Sequence, residues 1–225
     1  MSVGFCALVH YGGQRYNVRL ICDTECMKKG ITFIILGSTV ILLAGVAVHM
    51  AALAAIDRLV QHFPSVNDVI LAHLPRYNLF AVGEAAFAVF CVLFGIAYCS
   101  RQWRTLPQLL IMVGVMYAIR AVFLFTLPIG SPPDALLLSE RYTLYPYANH
   151  AYFFGGHAAL LYLFSFSLTD RCMKTLFLLG ATLFVIGSLI TRAHYTADVI
   201  AGFLIGVGIS SWGGRHLSSW TIKTQ

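Results

Sequence analysis

Residues 31–56 read ITFIILGSTVILLAGVAVHMAALAAI, with no Asp, Glu, Lys or Arg. A helix needs about 20 apolar residues to cross the hydrocarbon core of a bilayer. This run is long enough, so the chain must be read as a membrane protein. Further runs follow at 79–99, which contains Glu84, and at 107–127, which contains Arg120. Others are centred on 149–168, 174–190 and 198–212. The composition agrees: 59% of the 225 residues are hydrophobic and 11% charged, against about 25% charged in soluble domains. The mean hydropathy is +0.78. The expected fold is all-α and polytopic, with six transmembrane helices.

Charge then decides orientation. Arg15, Arg19, Lys28, Lys29, Arg101, Arg104, Arg171, Lys174, Arg215 and Lys223 fall on one side of such a bundle. Arg58, Arg76, Arg141 and Arg192 fall on the other, diluted by Asp57, Asp68, Asp134 and Glu140. Lys and Arg concentrate on the cytoplasmic side, so both termini are expected there. The net charge of +6 is a topology signal, and no nucleic-acid partner is expected. Residues 1–30 form a cytoplasmic segment, of which 1–26 read as a dispensable extension. Residues 31–212 form the membrane domain and 213–225 a cytoplasmic tail. A short interfacial helix is expected near 67–74, and a Pro- and Tyr-rich loop at 129–147 suits the water–lipid boundary. Cys22 and Cys26 have the spacing of a metal or redox pair, but no second pair follows. Cys91 and Cys99 read as packing residues.

The polar residues of the C-terminal half gather in Thr191-Arg192-Ala193-His194-Tyr195-Thr196-Ala197-Asp198-Val199. His194 and Asp198 are four apart and would meet on one face if that turn is helical. A carboxylate beside an imidazole fixes its tautomer and makes the other ring nitrogen a better base or nucleophile. His157, in Phe154-Gly155-Gly156-His157, belongs to the same outer end. Arg120 lies roughly 12 Å below that end at 1.5 Å per residue. An intramembrane Arg needs an anion. Glu84 is one candidate. A phosphate is the other, matched by the guanidinium with two parallel hydrogen bonds. Arg192 and the backbone N–H groups of Gly155 and Gly156 would complete that cradle, although two such glycines also suit plain helix packing. With a phosphate held there, His194 would attack phosphorus and His157 would protonate the departing oxygen. His157, His194 and Asp198 would also make a zinc or iron ligand set. Arg120 and Arg192 repel a cation and suit an anion, so neither a metal nor another cofactor is expected.

These residues resemble the motifs of a known family. Gly155-Gly156-His157 followed by His194-x-x-x-Asp198 is similar to the second and third motifs of the type-2 phosphatidic acid phosphatase superfamily. The closer resemblance is to its sphingomyelin synthase-like branch. Tyr117-Ala118-Ile119-Arg120 with Thr126-Leu127-Pro128 resembles the Tyr-x-x-Arg…Thr-x-Leu-Pro motif of that branch. Phe154-Gly155-Gly156-His157 resembles its Phe-Ser-Gly-His, and His194-Tyr195-Thr196-Ala197-Asp198-Val199 its last motif. The likeness runs from about residue 31 to 212. It implies a six-helix, metal-independent enzyme working through a phosphohistidine. It further implies His194 as nucleophile, Asp198 as its orienting partner and His157 as acid and base. Tyr117, Arg120, Gly155, Gly156, Arg192 and Tyr195 would bind substrate. Some positions depart from the pattern. Gly155 stands where the family has Ser, and Ser188 where the phosphatases have Arg. Asn149-His150-Ala151 replaces the synthase Cys-Gly-Asp, and no Lys-x6-Arg-Pro motif is present.

The expected function is lipid phosphoester hydrolysis or headgroup transfer at the extracytoplasmic face, at the plasma membrane if the protein is bacterial. The partners would be a phospholipid or lipid phosphate, the bilayer itself, and diacylglycerol or ceramide as acceptor. A non-catalytic lipid-binding or carrier protein of the same fold is the alternative.

Overall fold

The computed structural model describes residues 4–11, 14–21, 24–59, 64–127, 129–130, 132 and 153–222. Most of the loop expected at 129–147, the Asn149-His150-Ala151 stretch and Lys223 lie outside them. Two strands, β1 (Gly4–Tyr11) and β2 (Gln14–Ile21), pair antiparallel. This hairpin is an addition to the all-helical expectation and precedes the helical part. The helices are α1 (Thr24–Leu59), α2 (Val69–His73), α3 (Phe80–Gln102), α4 (Leu106–Thr126), α5 (Gly156–Ser167), α6 (Arg171–Ile190) and α7 (Thr196–His216).

Among the described residues, four helical stretches are long and apolar enough to cross a membrane: Gly30–Ile56, Ala81–Thr126, Arg171–Ile190 and Thr196–His216. The chain is thus built as an integral membrane protein. Its outward side chains, such as Phe33, Val82, Ile96 and Leu183, are exposed, as lipid contact requires.

Side-chain contacts fix the direction of each helix. Phe87 of α3 packs on His157 at the start of α5, and Gln102 bonds the Ser167 carbonyl and the Thr169 N–H at its end. These two helices therefore run parallel. Phe87 meets Phe184 and Phe90 meets Phe177, so α6 runs against α3. Gln108, near the start of α4, donates to the Leu217 carbonyl beyond α7, while Arg120, near its end, lies against Gly156. Hence Ala81–Thr126 doubles back at the 3-10 turn Trp103–Thr105, which Pro107 follows in the first turn of α4, where its missing N–H costs nothing. In sum α1, α4 and α6 run one way, and α3, α5 and α7 the other.

Two glycine seams bring backbones together. Along α7, Gly202 lies against the Gly155 carbonyl and Ala159, and Gly206 against Ala159 and Leu163. Between α1 and α4, a Cβ at Gly45 would fall on the Gly114 carbonyl, and one at Gly114 would sit 2.7 Å from the Ile41 carbonyl. Without a hydrophobic drive between helices in lipid, such close packing carries association. Gly114→Val should therefore separate α1 from α4, and a thermal melt in detergent should fall by several degrees. An unchanged melt would show that the seam is dispensable.

One helix differs from expectation. Among the described residues of the span expected at 149–168, the helix runs from Gly156 to Ser167, about 18 Å at 1.5 Å per residue. Gly155 is its extended N-cap, and its N–H donates to the Asp198 carbonyl. That bond ties the chain to α7 before the helix can begin. The short interfacial helix is present as α2, capped by Asp68. Cys91 is half-buried, whereas Cys99 is exposed, so packing is a role only Cys91 can have.

Candidate active site

The end of the bundle where α4 and α6 finish and α5 and α7 begin collects the polar groups. His157, in the first turn of α5, is half-buried with its ring against Phe87 at 4.4 Å and Phe184 at 6.0 Å. Its ring faces that of His194 at a centroid separation of 6.4 Å. His194 Nδ1 lies 3.8 Å from Asp198 Oδ2. That is an ion-pair distance, longer than a hydrogen bond.

The local reason for the His–Asp pair is not the one the spacing suggests. His194 lies outside the helix, which begins at Thr196. The chain leaves α6 through Arg192, whose φ of 57° is left-handed, a region side chains other than Gly seldom enter. Tyr195 then takes the extended N-cap conformation. Asp198, three residues on, turns back to accept from the Tyr195 N–H at 3.1 Å. The carboxylate is thus fixed by helix capping, and the turn carries His194 to it. Asp198 is fully buried, and its Oδ1 has no hydrogen-bond partner among the described residues.

Arg120 of α4 lies against the N-terminus of α5. A Cβ on Gly156 would overlap the Arg120 Nη1 and sit 2.7 Å from its Cζ. Only glycine admits this approach. Arg120 interacts electrostatically with His157 and with His49. Glu84, the other candidate partner of Arg120, is in electrostatic reach of His194. The Arg192 Nε is buried without a hydrogen-bond partner among the described residues. Tyr117 is half-buried, its ring 5.3 Å from that of His49.

Two expected ligand contacts receive other roles. The Gly155 N–H is already bonded to the Asp198 carbonyl, so it is not a phosphate donor. Gly156 makes room for Arg120. Tyr195 is 3% exposed, packs on Leu71, and accepts at its hydroxyl from the Val66 N–H at 3.0 Å. It anchors the turn to the covering loop.

Two residues that the sequence reading passed over belong here. His49 of α1 is 5% exposed, and its Nδ1 has no hydrogen-bond partner among the described residues. The available signal was one ionisable side chain in an otherwise uncharged run. Asp68, before α2, accepts from the Thr196 N–H at 2.6 Å, from the Thr196 hydroxyl at 3.1 Å and from the Leu71 N–H at 3.0 Å. Burial alone would raise its pKa, but these donors outweigh burial and hold the carboxyl below its ordinary value. Its partner is 128 positions away, and no local pattern announces it.

Among the described residues no three His, Cys, Asp or Glu side chains converge as a metal site. The arrangement offers two facing imidazoles, one beside a buried carboxylate, and a guanidinium at a helix N-terminus. Compared with known proteins, the sequence matches no family model and no curated protein.

Proposed function

We propose that this protein is a six-span membrane enzyme that cleaves or transfers a lipid phosphoester through a phosphohistidine. On this reading it is akin to the type-2 phosphatidic acid phosphatases and, within them, to the sphingomyelin synthase-like branch. The carrying observation is the pair His157 and His194, ring centroids 6.4 Å apart, with Asp198 beside one and Arg120 beside the other. The site lies at the end of the bundle opposite Arg101, Arg104, Arg171 and Arg215, which supports an extracytoplasmic site and cytoplasmic termini.

In this mechanism Arg120 and Arg192 hold the phosphoryl oxygens and offset the charge that builds on them. Asp198 keeps the proton of His194 on Nδ1, which leaves the Nε2 lone pair to attack phosphorus. The N–P bond forms as the bond to the leaving alkoxide breaks. Protonated His157 gives that alkoxide its proton and becomes neutral. It then takes a proton from water or from a lipid alcohol such as diacylglycerol or ceramide. The resulting oxygen nucleophile attacks phosphorus and releases His194.

A second reading is a non-catalytic lipid-binding or carrier protein of the same fold. Gly155 in place of the family Ser favours it. One experiment separates the two. Purified protein is given lipid phosphates and phospholipids, with and without diacylglycerol or ceramide. Free phosphate identifies a phosphatase, and a new phospholipid that requires the acceptor identifies a transferase. No product under any condition would leave the carrier, and equal product from His194→Ala would remove the phosphohistidine mechanism.

A further inference from the structure

Asp68 stands on the loop between α1 and α3, far in sequence from the candidate site, yet it bonds directly to the start of α7. Its Oδ2 accepts from the Thr196 N–H at 2.6 Å, and its Oδ1 from the Thr196 hydroxyl at 3.1 Å. The same Oδ1 caps α2 at the Leu71 N–H. Thr196 is the first residue of α7, and its N–H is one of the donors that the helix itself cannot satisfy. Asp198 already serves the preceding N–H, that of Tyr195. Two carboxylates therefore divide the work. Asp198 holds the turn from inside the helix, and Asp68 holds it from the covering loop.

A second tie runs in parallel. The Val66 N–H donates to the Tyr195 hydroxyl, and Leu71 buries against the Tyr195 ring, the two side chains 1% and 3% exposed. The covering segment thus grips the residues on either side of the bond that joins His194's turn to α7. Val69 and Ile70 on its outer side are 73% and 57% exposed, so the segment buries little of itself, and Asp68 supplies its charged attachment.

We infer that Asp68 is a positioning residue for the proposed reaction, holding the turn that sets His194 against Asp198 through its bonds to Thr196. It touches neither substrate nor the reacting imidazole. The inference rests on the phosphohistidine reading for its catalytic consequence, while the latch itself is a property of the fold.

The test is Asp68→Asn beside Thr196→Val and Asp68→Ala. Asparagine keeps the shape and one acceptor oxygen, but its NH2 cannot accept from the Thr196 N–H. Hydrogen exchange should quicken at the amides of 195–199 by about tenfold to a hundredfold, as loss of a hydrogen bond to a charged group implies. Amides in α3 and α5 should keep their wild-type rates. With a lipid phosphate substrate, kcat should fall by roughly 10²-fold, the scale of a small misplacement of reacting groups, with KM within about twofold. Thr196→Val, which removes only the hydroxyl bond, should have a smaller effect. Unchanged exchange at 195–199, faster exchange spread over all helices, or a rise in KM with kcat kept would each overturn the inference. A wild type without turnover would overturn the catalytic reading alone. Exchange in Asp68→Asn would then decide whether the latch exists.

Discussion

Replacing His194 with alanine should abolish labelling by a phosphate donor and lower turnover by roughly 10³-fold or more, because on the proposed mechanism the covalent route disappears with its nucleophile. His157→Ala should behave differently. With a lipid substrate, whose alkoxide leaves poorly, loss of the proton donor should cost about 10²–10⁴-fold. With an aryl phosphate, whose leaving group needs no proton, the adduct should still form. It should then accumulate, because on the proposed mechanism His157 is also the base that activates the incoming water. Acid quench and phosphohistidine detection would check both variants. Accumulation in His157→Ala together with none in His194→Ala assigns the two roles. The reverse pattern would exchange nucleophile and acid, and equal labelling in both would remove the mechanism.

The second large effect concerns a residue with no reactive group. Gly156→Ala places a methyl where the Arg120 guanidinium lies. The backbone of α5 cannot yield, since Gly155 is bonded to Asp198 and the helix is seamed to α7. The Arg120 guanidinium, the free end of a flexible side chain, must therefore shift from its place at the start of α5. Gly156→Ala should raise KM for a lipid phosphate about as much as Arg120→Ala does, on the order of tenfold to a hundredfold for a charged hydrogen-bonding partner. The double variant should be no worse than either single one, as expected when two changes remove one interaction. Additive losses would mean that Gly156 acts on something other than Arg120. By contrast, a Cβ at Gly155 would meet the Asp198 carbonyl at 3.3 Å, a contact a small adjustment relieves.

The helices were legible where their signal is local. Apolar runs at 31–56, 79–99, 107–127, 174–190 and 198–212 lie within or within a residue of α1, α3, α4, α6 and α7, because hydropathy reports lipid contact directly. The start of α5 was not legible. Residues 153–155 are as apolar as the helix that follows, and what stops the helix is a bond to Asp198, more than forty positions away. The hairpin had a signal that went unread, the Gly12-Gly13 pair between two runs of strand length. In the site, His157, His194, Asp198 and Arg120 stood out because polar groups are rare in such runs. Asp68 did not, since a carboxylate in a polar loop looks the same whether solvated or latched.

The seam between α5 and α7 has a mechanical meaning. Gly202 and Gly206 lock these helices backbone to backbone, so His157 and Asp198 ride on one plate. Arg120 rides on another, made of α4 and its partner α1. A force that pries the plates apart moves Arg120, the phosphate clamp of the proposed mechanism, relative to the imidazoles and leaves His157 and Asp198 at their own spacing. If the proposed reaction holds, lateral pressure or bilayer thickness would act on how tightly the lipid is gripped before it acts on how fast the bond is broken.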